Sequence, residues 1–474
     1  METSFQDIIA TGPLTIVTVV SLIVLTIEAL KDKSETFTSW LSMAGLVLAI
    51  IAACATIGDS GTAFHGMVTT GGYANYFAIL FCLAGLLTTM LSQSYIRREN
   101  IEHGEYYALL LIAIVGMMLM AAAADLIVFF LGLETMSISF YILAGFIRTR
   151  RTSNEAALKY FLLGAFATGF LLYGIALIYG STGTTNIEAF VARAAGPGQP
   201  STFLIGLGLL LVGLGFKVAA VPFHMWVPDV YEGSPTTVSG FMSTAGKAAA
   251  FSAFLLVFGP KLVVHVTAVR DVLAMIAALS MVVGNLIAIS QTSIKRMLAY
   301  SSIAHAGYIL SGVVAANSHG SNGVLFYLVA YTMMNIGAFG VLSLLESDDG
   351  SNLTFDDYAG LSSKKPMVAG LMAVFMFSLT GIPPFAGFFG KYYVFVGAVE
   401  AGYTWLAIVG VIMSVVSAYY YLRLVVLMYF KEQVPILDFP VPALGVTALV
   451  VSAVALLLLG IAPSSILTLT TQFF

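Results

Sequence analysis

Long apolar runs of about twenty residues, parted by short polar stretches, recur along the whole chain. They predict fourteen helices at 13–30, 38–57, 74–95, 106–123, 125–147, 156–180, 202–227, 236–258, 267–290, 295–316, 322–345, 367–398, 403–430 and 441–463. A helix that crosses a bilayer needs roughly 20 mostly apolar residues. An open sheet edge cannot be satisfied in hydrocarbon, and a barrel would show alternating segments of about ten residues. The pattern therefore predicts an all-α integral membrane protein.

Positive charge collects between alternate pairs of runs: Lys31 and Lys33, Arg97 and Arg98, Arg148, Arg150 and Arg151, Lys295 and Arg296, Lys364 and Lys365, and Lys431. These twelve stand against three on the other side, Arg193, Lys261 and Arg270. The positive-inside rule places the twelve in the cytoplasm and both termini outside. One missed helix would scramble this asymmetry, so it supports the count.

Composition agrees. Of 474 residues, 59% are hydrophobic and 9% charged, where a soluble domain has roughly 25% charged. The net charge of −4 gives no reason to expect nucleic acid. Cys54 and Cys82 sit in apolar runs and read as core residues. The first run has acidic residues before it, lysines after it and no clear cleavage site, so it reads as a retained helix. The longest connections, 181–201 and the acidic 346–366, are too short for independent domains. No nucleotide, flavin or haem motif and no cysteine cluster appears, which places the chemistry within the membrane.

Apart from charges at or near run ends, such as Arg423, which can snorkel, the runs hold Glu134, Lys159, Lys217, Lys247 and Lys391. A charge at a helix centre costs on the order of 3 kcal/mol on insertion scales and usually faces a bundle interior or water. Structural ion pairs would favour equal numbers of acids and bases, yet several lysines face the single central Glu134. Desolvation disfavours the charged form of an amine. Lysines without a fixed carboxylate partner therefore suit a proton relay. Lys159, near a helix end, reads either as an uptake-side group or as a snorkelling one. His224 and His305 read either as hydrogen-bonded core residues or as relay members. Asp229 and Glu232 could cap helices or collect protons.

Two runs carry prolines beside a lysine. Pro222 follows Lys217 by five residues, and Pro383 and Pro384 precede Lys391. Proline breaks a helix, and irregular backbone at membrane depth is tolerated only inside protein or beside water. The seventh and twelfth helices are therefore expected to be broken. They lie five apart, and an odd repeat returns inverted, as in many transporters. The expected organisation is helices 1–3 in 1–105, one inverted repeat in 106–258 (helices 4–8), a second in 259–430 (helices 9–13) and a last helix in 431–474.

The stretch Phe216-Lys217-Val218-Ala219-Ala220-Val221-Pro222-Phe223-His224-Met225-Trp226-Val227-Pro228-Asp229-Val230-Tyr231-Glu232-Gly233-Ser234-Pro235 resembles the antiporter-like subunits of proton-pumping NADH–quinone oxidoreductase, respiratory complex I. So does Ser293-Ile294-Lys295-Arg296-Met297-Leu298-Ala299-Tyr300-Ser301-Ser302-Ile303-Ala304-His305-Ala306-Gly307-Tyr308. A lysine ending Gly381-Ile382-Pro383-Pro384-Phe385-Ala386-Gly387-Phe388-Phe389-Gly390-Lys391 is similar to the subunit N branch; the M branch typically has glutamate there.

The resemblance implies a proton relay of Glu134, Lys217, Lys247 and Lys391, with Lys217 pairing with Glu134 and Lys391 on the exit side. Lys159 and His305 match positions with less settled roles. It also implies neighbouring membrane-arm subunits as partners and a bacterial inner membrane as location. No cofactor or metal is expected in this chain; NADH, FMN, iron–sulfur clusters and quinone belong to other subunits. In this picture a closed Glu134–Lys217 pair holds the proton, and opening it lets the proton move on. At an effective ε of about 20 a pair ~4 Å apart interacts by roughly 4 kcal/mol. The superfamily also contains subunits of cation/proton antiporters and of membrane-bound hydrogenases, and a non-transporting scaffold is a third reading. Sodium sites favour carboxylates and carbonyls, which weighs for the proton pump.

Overall fold

The computed structural model describes residues 5–31, 34–196, 198–347, 353–432, 442–471 and 473. Lys33, Asp348, Asp349 and position 441 of the expected last helix lie outside them. Among the described residues, twelve helices are long and apolar enough to cross a membrane: α1 (Gly12–Leu30), α2 (Glu35–Ala55), α3 (Gly72–Arg98), α5 (Leu126–Ala144), α6 (Arg151–Thr182), α7a (Ser201–Val218), α8 (Thr236–Val257), α9 (Thr267–Ile289), α10 (Ile294–Ala315), α11 (Ser318–Leu345), α13 (Thr404–Phe430) and α14 (Ala443–Ile461). Two shorter apolar helices, α4 (Glu105–Ala121) and α12a (Pro366–Thr380), fill the remaining expected places. The chain is a multi-pass all-α membrane protein.

Local sequence explains the helix ends. Asp125 caps α5 by accepting from the Ile127 amide at 2.8 Å, and Asn317 caps α11 through the Gly320 amide at 2.7 Å. Pro366 opens α12a, where its missing N–H costs nothing.

Loops at each end of the bundle are stitched to one another. On one face the Ile294 amide donates to Leu353 and the Gly360 amide to Leu427. This is the basic face. On the opposite face a short hairpin, Ser60–Ala63 paired with Val68–Gly71, hydrogen-bonds residues 122–124 and so adds a small sheet where only helices were expected. A separate amphipathic helix, Ile187–Ala194, lies on that face too.

Both proline-bearing helices are broken. α7a ends where Ala219 adopts φ 63°, and the chain resumes helically as α7b (Val227–Gly233). α12a ends at Gly381, φ 90°, and α12b (Ala386–Glu400) follows. A third irregularity was not foreseen: α8 carries a π-turn, Met242–Gly246, directly before Lys247. Such turns occur often at functional positions.

The helix pairs α4–α5 and α9–α10 each cross at glycine. A Cβ on Gly116 would lie 2.5 Å from the Met136 backbone, and one on Gly284 would lie 2.6 Å from the Ala304 backbone. α8, α10 and α11 form the buried centre, while α1, α6 and α13 present apolar side chains outward.

Candidate functional site

The three candidate relay lysines are buried and held by neutral acceptors. Lys217, in the last turn of α7a, donates to the Ser137 hydroxyl on α5 at 2.7 Å, and its ammonium lies 5.7 Å from the Tyr141 ring and 5.8 Å from the Tyr160 ring. Lys247, just past the π-turn, donates to both the carbonyl and the hydroxyl of Ser302 on α10 and lies 5.8 Å from the Tyr331 ring. Lys391, on α12b, reaches back across the break. It donates to the Leu379 and Thr380 carbonyls at 3.0 and 2.8 Å and to Ser414 on α13 at 2.6 Å. Those carbonyls end α12a, where the helix dipole favours a cation.

The breaks are satisfied from their surroundings, as hydrocarbon requires. The Trp226 indole donates to the Phe216 carbonyl at 3.0 Å, and Ser280 on α9 accepts from the Val221 amide at 2.9 Å. At the second break Lys391 itself does this for α12a, and the Gly387 amide donates to Ser378 at 3.2 Å.

One expectation changes, and the alternatives left open for Lys159 and His224 narrow. Lys217 and Glu134 form no ion pair within 4.0 Å; Glu134 accepts instead from Thr168 on α6 at 2.9 Å. Glu134 is half-buried at the edge of an outward strip of α5 that includes Leu131, Ile138 and Ile142, so α6 offers it a nearer donor than the lysine does. Lys159 is not a buried charge. Its side chain is 41% exposed at the basic face and pairs with Asp229 at 2.7 Å and Glu155 at 2.8 Å. Arg296 also contacts Asp229 and Glu232, at 3.0 and 3.1 Å, so Asp229 ties α6, α7b and α10 together. His224, in the first break, is half-buried, and no hydrogen bond joins its ring to the lysines among the described residues.

His305 does join a network. Its Nδ1 lies 2.8 Å from the Tyr327 hydroxyl and its Nε2 lies 3.1 Å from that of Tyr421. Tyr421 also bonds Ser301, next to the Ser302 that holds Lys247. Neighbouring Tyr420 donates to Asn285 at 2.8 Å, and the Asn285 amide lies 3.0 Å from the Tyr308 hydroxyl. Lys391 stands 4.9 Å from the centre of the Tyr308 ring. Polar groups thus span most of the distance from Lys247 to Lys391. Toward Lys217 the packing is apolar: a Cβ at Gly246 would sit 2.7 Å from the Phe140 ring, which also meets Phe241 edge-on. From Lys391 a groove of about 830 Å³ runs between α12b and α13 to Glu400 at the opposite face.

The tyrosines and the π-turn were missed from sequence. Aromatic residues in an apolar run read as ordinary core; the sequence offers Asn285, Tyr300, Ser301, Ser302 and Asn335 as polar groups that could support bridging waters, and of these Asn285 and Ser301 join the network.

Residues 123–417 match the family model described as NADH:quinone oxidoreductase/Mrp antiporter, transmembrane. The NADH-quinone oxidoreductase subunit N of Trichlorobacter lovleyi is 51% identical, over 93% of this chain and 91% of that one. The chain belongs to the NADH-quinone oxidoreductase subunit N family. Among solved structures, a chain of respiratory complex I from Thermus thermophilus, with bound aureothin, superposes with a TM-score of 0.85 at 39% identity, covering 97% of this chain and 99% of that one. A chain of the Mrp complex from Dietzia shares the fold, with a TM-score of 0.88 over 99% of this chain and 97% of that one, at 21% identity.

Proposed function

We propose that this chain is a membrane-arm subunit of a complex I-type NADH–quinone oxidoreductase, and that it moves protons along Lys217, Lys247 and Lys391 while other subunits reduce quinone. One observation carries the reading. Three buried lysines are held by hydroxyl and carbonyl groups, and among the described residues none makes an ion pair with a carboxylate. A scaffold would neutralise such charges with acids. A relay needs amines that can part with a proton.

Protons enter from the basic face, taken as cytoplasmic, cross laterally through Lys247 and the His305–tyrosine network, and leave beside Lys391. Glu134, near Lys217 but paired with Thr168, tunes that lysine when the two approach. His305 relays; Lys159 anchors the cytoplasmic rim, and His224 lines the first break. The chain lies in a bacterial inner membrane with both termini on the periplasmic side, in two inverted repeats, 106–258 and 259–430. It holds no cofactor of its own, and NADH, FMN, iron–sulfur clusters and quinone sit on partner subunits.

Affinity purification of the tagged chain from its native membrane tests the assignment. Iron–sulfur and flavin subunits are expected to travel with it. A small set of purely membrane-embedded partners, without them, would assign it instead to a cation/proton antiporter.

A further inference from the structure

A second group of ionisable side chains is buried at the basic face, where only loop charges were expected. Glu99 follows α3, Glu346 follows α11, and Arg150 precedes α6. Arg150 contacts both carboxylates, Glu99 Oε2 at 2.7 Å and Glu346 Oε1 at 3.2 Å. The two acidic side chains are 2% and 1% exposed. The second oxygen of Glu346 accepts from Thr236 Oγ1, on the first residue of α8, at 2.5 Å. The second oxygen of Glu99 is buried and has no hydrogen-bond partner. Above them a cleft of about 750 Å³ is lined by Arg150, Glu346, Lys159, Asp229, Glu232 and Arg296.

We infer that the Glu99–Arg150–Glu346 triad is a proton-loading site that supplies Lys247 through α8. Two buried carboxylates share one guanidinium, so one of them can carry a proton while the other keeps Arg150 bound. The proton comes from the cleft. An O–H bond forms at the unpartnered Glu99 oxygen and breaks when the proton passes on, and an N–H bond forms at the Lys247 amine. Glu99 lies one helical turn from Tyr95, whose hydroxyl accepts from the Thr236 amide at 3.3 Å. From Thr236 to Lys247 is about 17 Å along the helix, and the buried hydroxyls of Thr237, Ser239, Ser243 and Thr244 lie between.

Two basic groups beside the triad are otherwise engaged. Arg98 donates to the Ser343 and Leu344 carbonyls that end α11, and Lys295, 1% exposed, donates to the Ser234 carbonyl at 2.7 Å. Tyr95 and Tyr358 also lie against the triad, the Tyr358 hydroxyl buried without a hydrogen-bond partner, and Glu232 and Asp357 line the cleft. Burial pushes the Glu99 carboxyl above the usual carboxylate range, with Arg150 opposing.

This inference rests on the relay reading, and the test separates the two. In the assembled complex, Glu99→Gln is expected to lower protons pumped per electron to about the level of Lys247→Ala. NADH oxidation with an artificial acceptor stays intact, and Glu188→Gln on the opposite face changes nothing. Glu99→Asp restores pumping with a shifted pH profile. Full pumping with an unchanged pH profile in Glu99→Gln overturns the inference. So does failure of both Glu99 variants to assemble, which would mark the triad as a clamp between helix ends. If Lys247→Ala pumps normally, the relay reading itself fails, whatever Glu99 does.

Discussion

Lys217 gives its hydrogen bond to Ser137, one turn along α5 from Glu134, and not to Glu134 itself. The lysine rests on a neutral hydroxyl and the carboxylate on Thr168, which in the proposed mechanism is the open arrangement of the pair. Ser137 in turn donates to the Leu133 carbonyl, which leaves its oxygen lone pairs facing the ammonium.

Ser137→Ala removes a hydrogen bond to a charged group, about 1.5–3 kcal/mol. The open arrangement loses its parking place. Pumping is expected to fall in the assembled complex while electron transfer to an artificial acceptor continues. Ser137→Thr keeps the hydroxyl and is expected to pump. Vesicle acidification in the two variants checks this.

At the other end, Lys391 occupies the terminal carbonyls of α12a. Lys391→Ala removes the charge, leaves the Leu379 carbonyl without its lysine donor and leaves the Thr380 carbonyl only the longer bond from Ser414, at 3.3 Å. A buried group left unsatisfied costs about 1–3 kcal/mol, so this variant is expected to lose both pumping and thermal stability. Ser414→Ala removes one acceptor of Lys391 and a 3.3 Å bond to the Thr380 carbonyl, which Lys391 still satisfies, and is expected to weaken pumping with little effect on the melting temperature.

The crossing of α9 and α10 depends on Gly284. A Cβ there meets the Ala304 backbone at 2.6 Å, and backbone cannot step aside as a side chain can. Gly284→Ala is expected to cost about 1–3 kcal/mol through overpacking and to reduce the assembled complex in the membrane. Gly169→Ala, where nothing lies within 4 Å, is expected to be neutral. Quantifying the assembled complex on native gels distinguishes them.

Asp229 sits on the basic rim. Partial burial raises its carboxyl, but hydrogen bonds from Lys159 and Arg296 outweigh that and hold it below the usual range of 3.8. A depressed folded-state value means its contribution is complete above the ordinary carboxylate range and is lost only as pH falls through the folded value. Exposed pairs of this kind contribute on the order of 1 kcal/mol or less. Asp229→Asn is therefore expected to lower the melting temperature slightly and equally from neutral pH down to about pH 5, with the difference vanishing in stronger acid.

The membrane fold was legible because hydrocarbon leaves few options: apolar runs of spanning length, with basic residues at alternate ends, allow little besides a helical bundle. The breaks in helices 7 and 12 were legible for a similar reason, since Pro222 and Pro383 cannot continue a helix. The partners of the charges were not. Whether Lys217 bonds Ser137 or Glu134 depends on which faces of α5 and α7a meet, and periodicity is weak in helices apolar all round. Lys295 and Glu346 sat at run ends and read as solvated, yet four other helix ends close over them. The π-turn before Lys247 carries no proline to announce it.

The most direct test of the central claim concerns Lys247, the middle of the line. Lys247→Ala, in the complete complex reconstituted into vesicles, is scored as protons moved per electron alongside NADH oxidation with an artificial acceptor. A lowered ratio with intact assembly and intact oxidation is the predicted result. A normal ratio would contradict the account and remove Lys247 from the proton path.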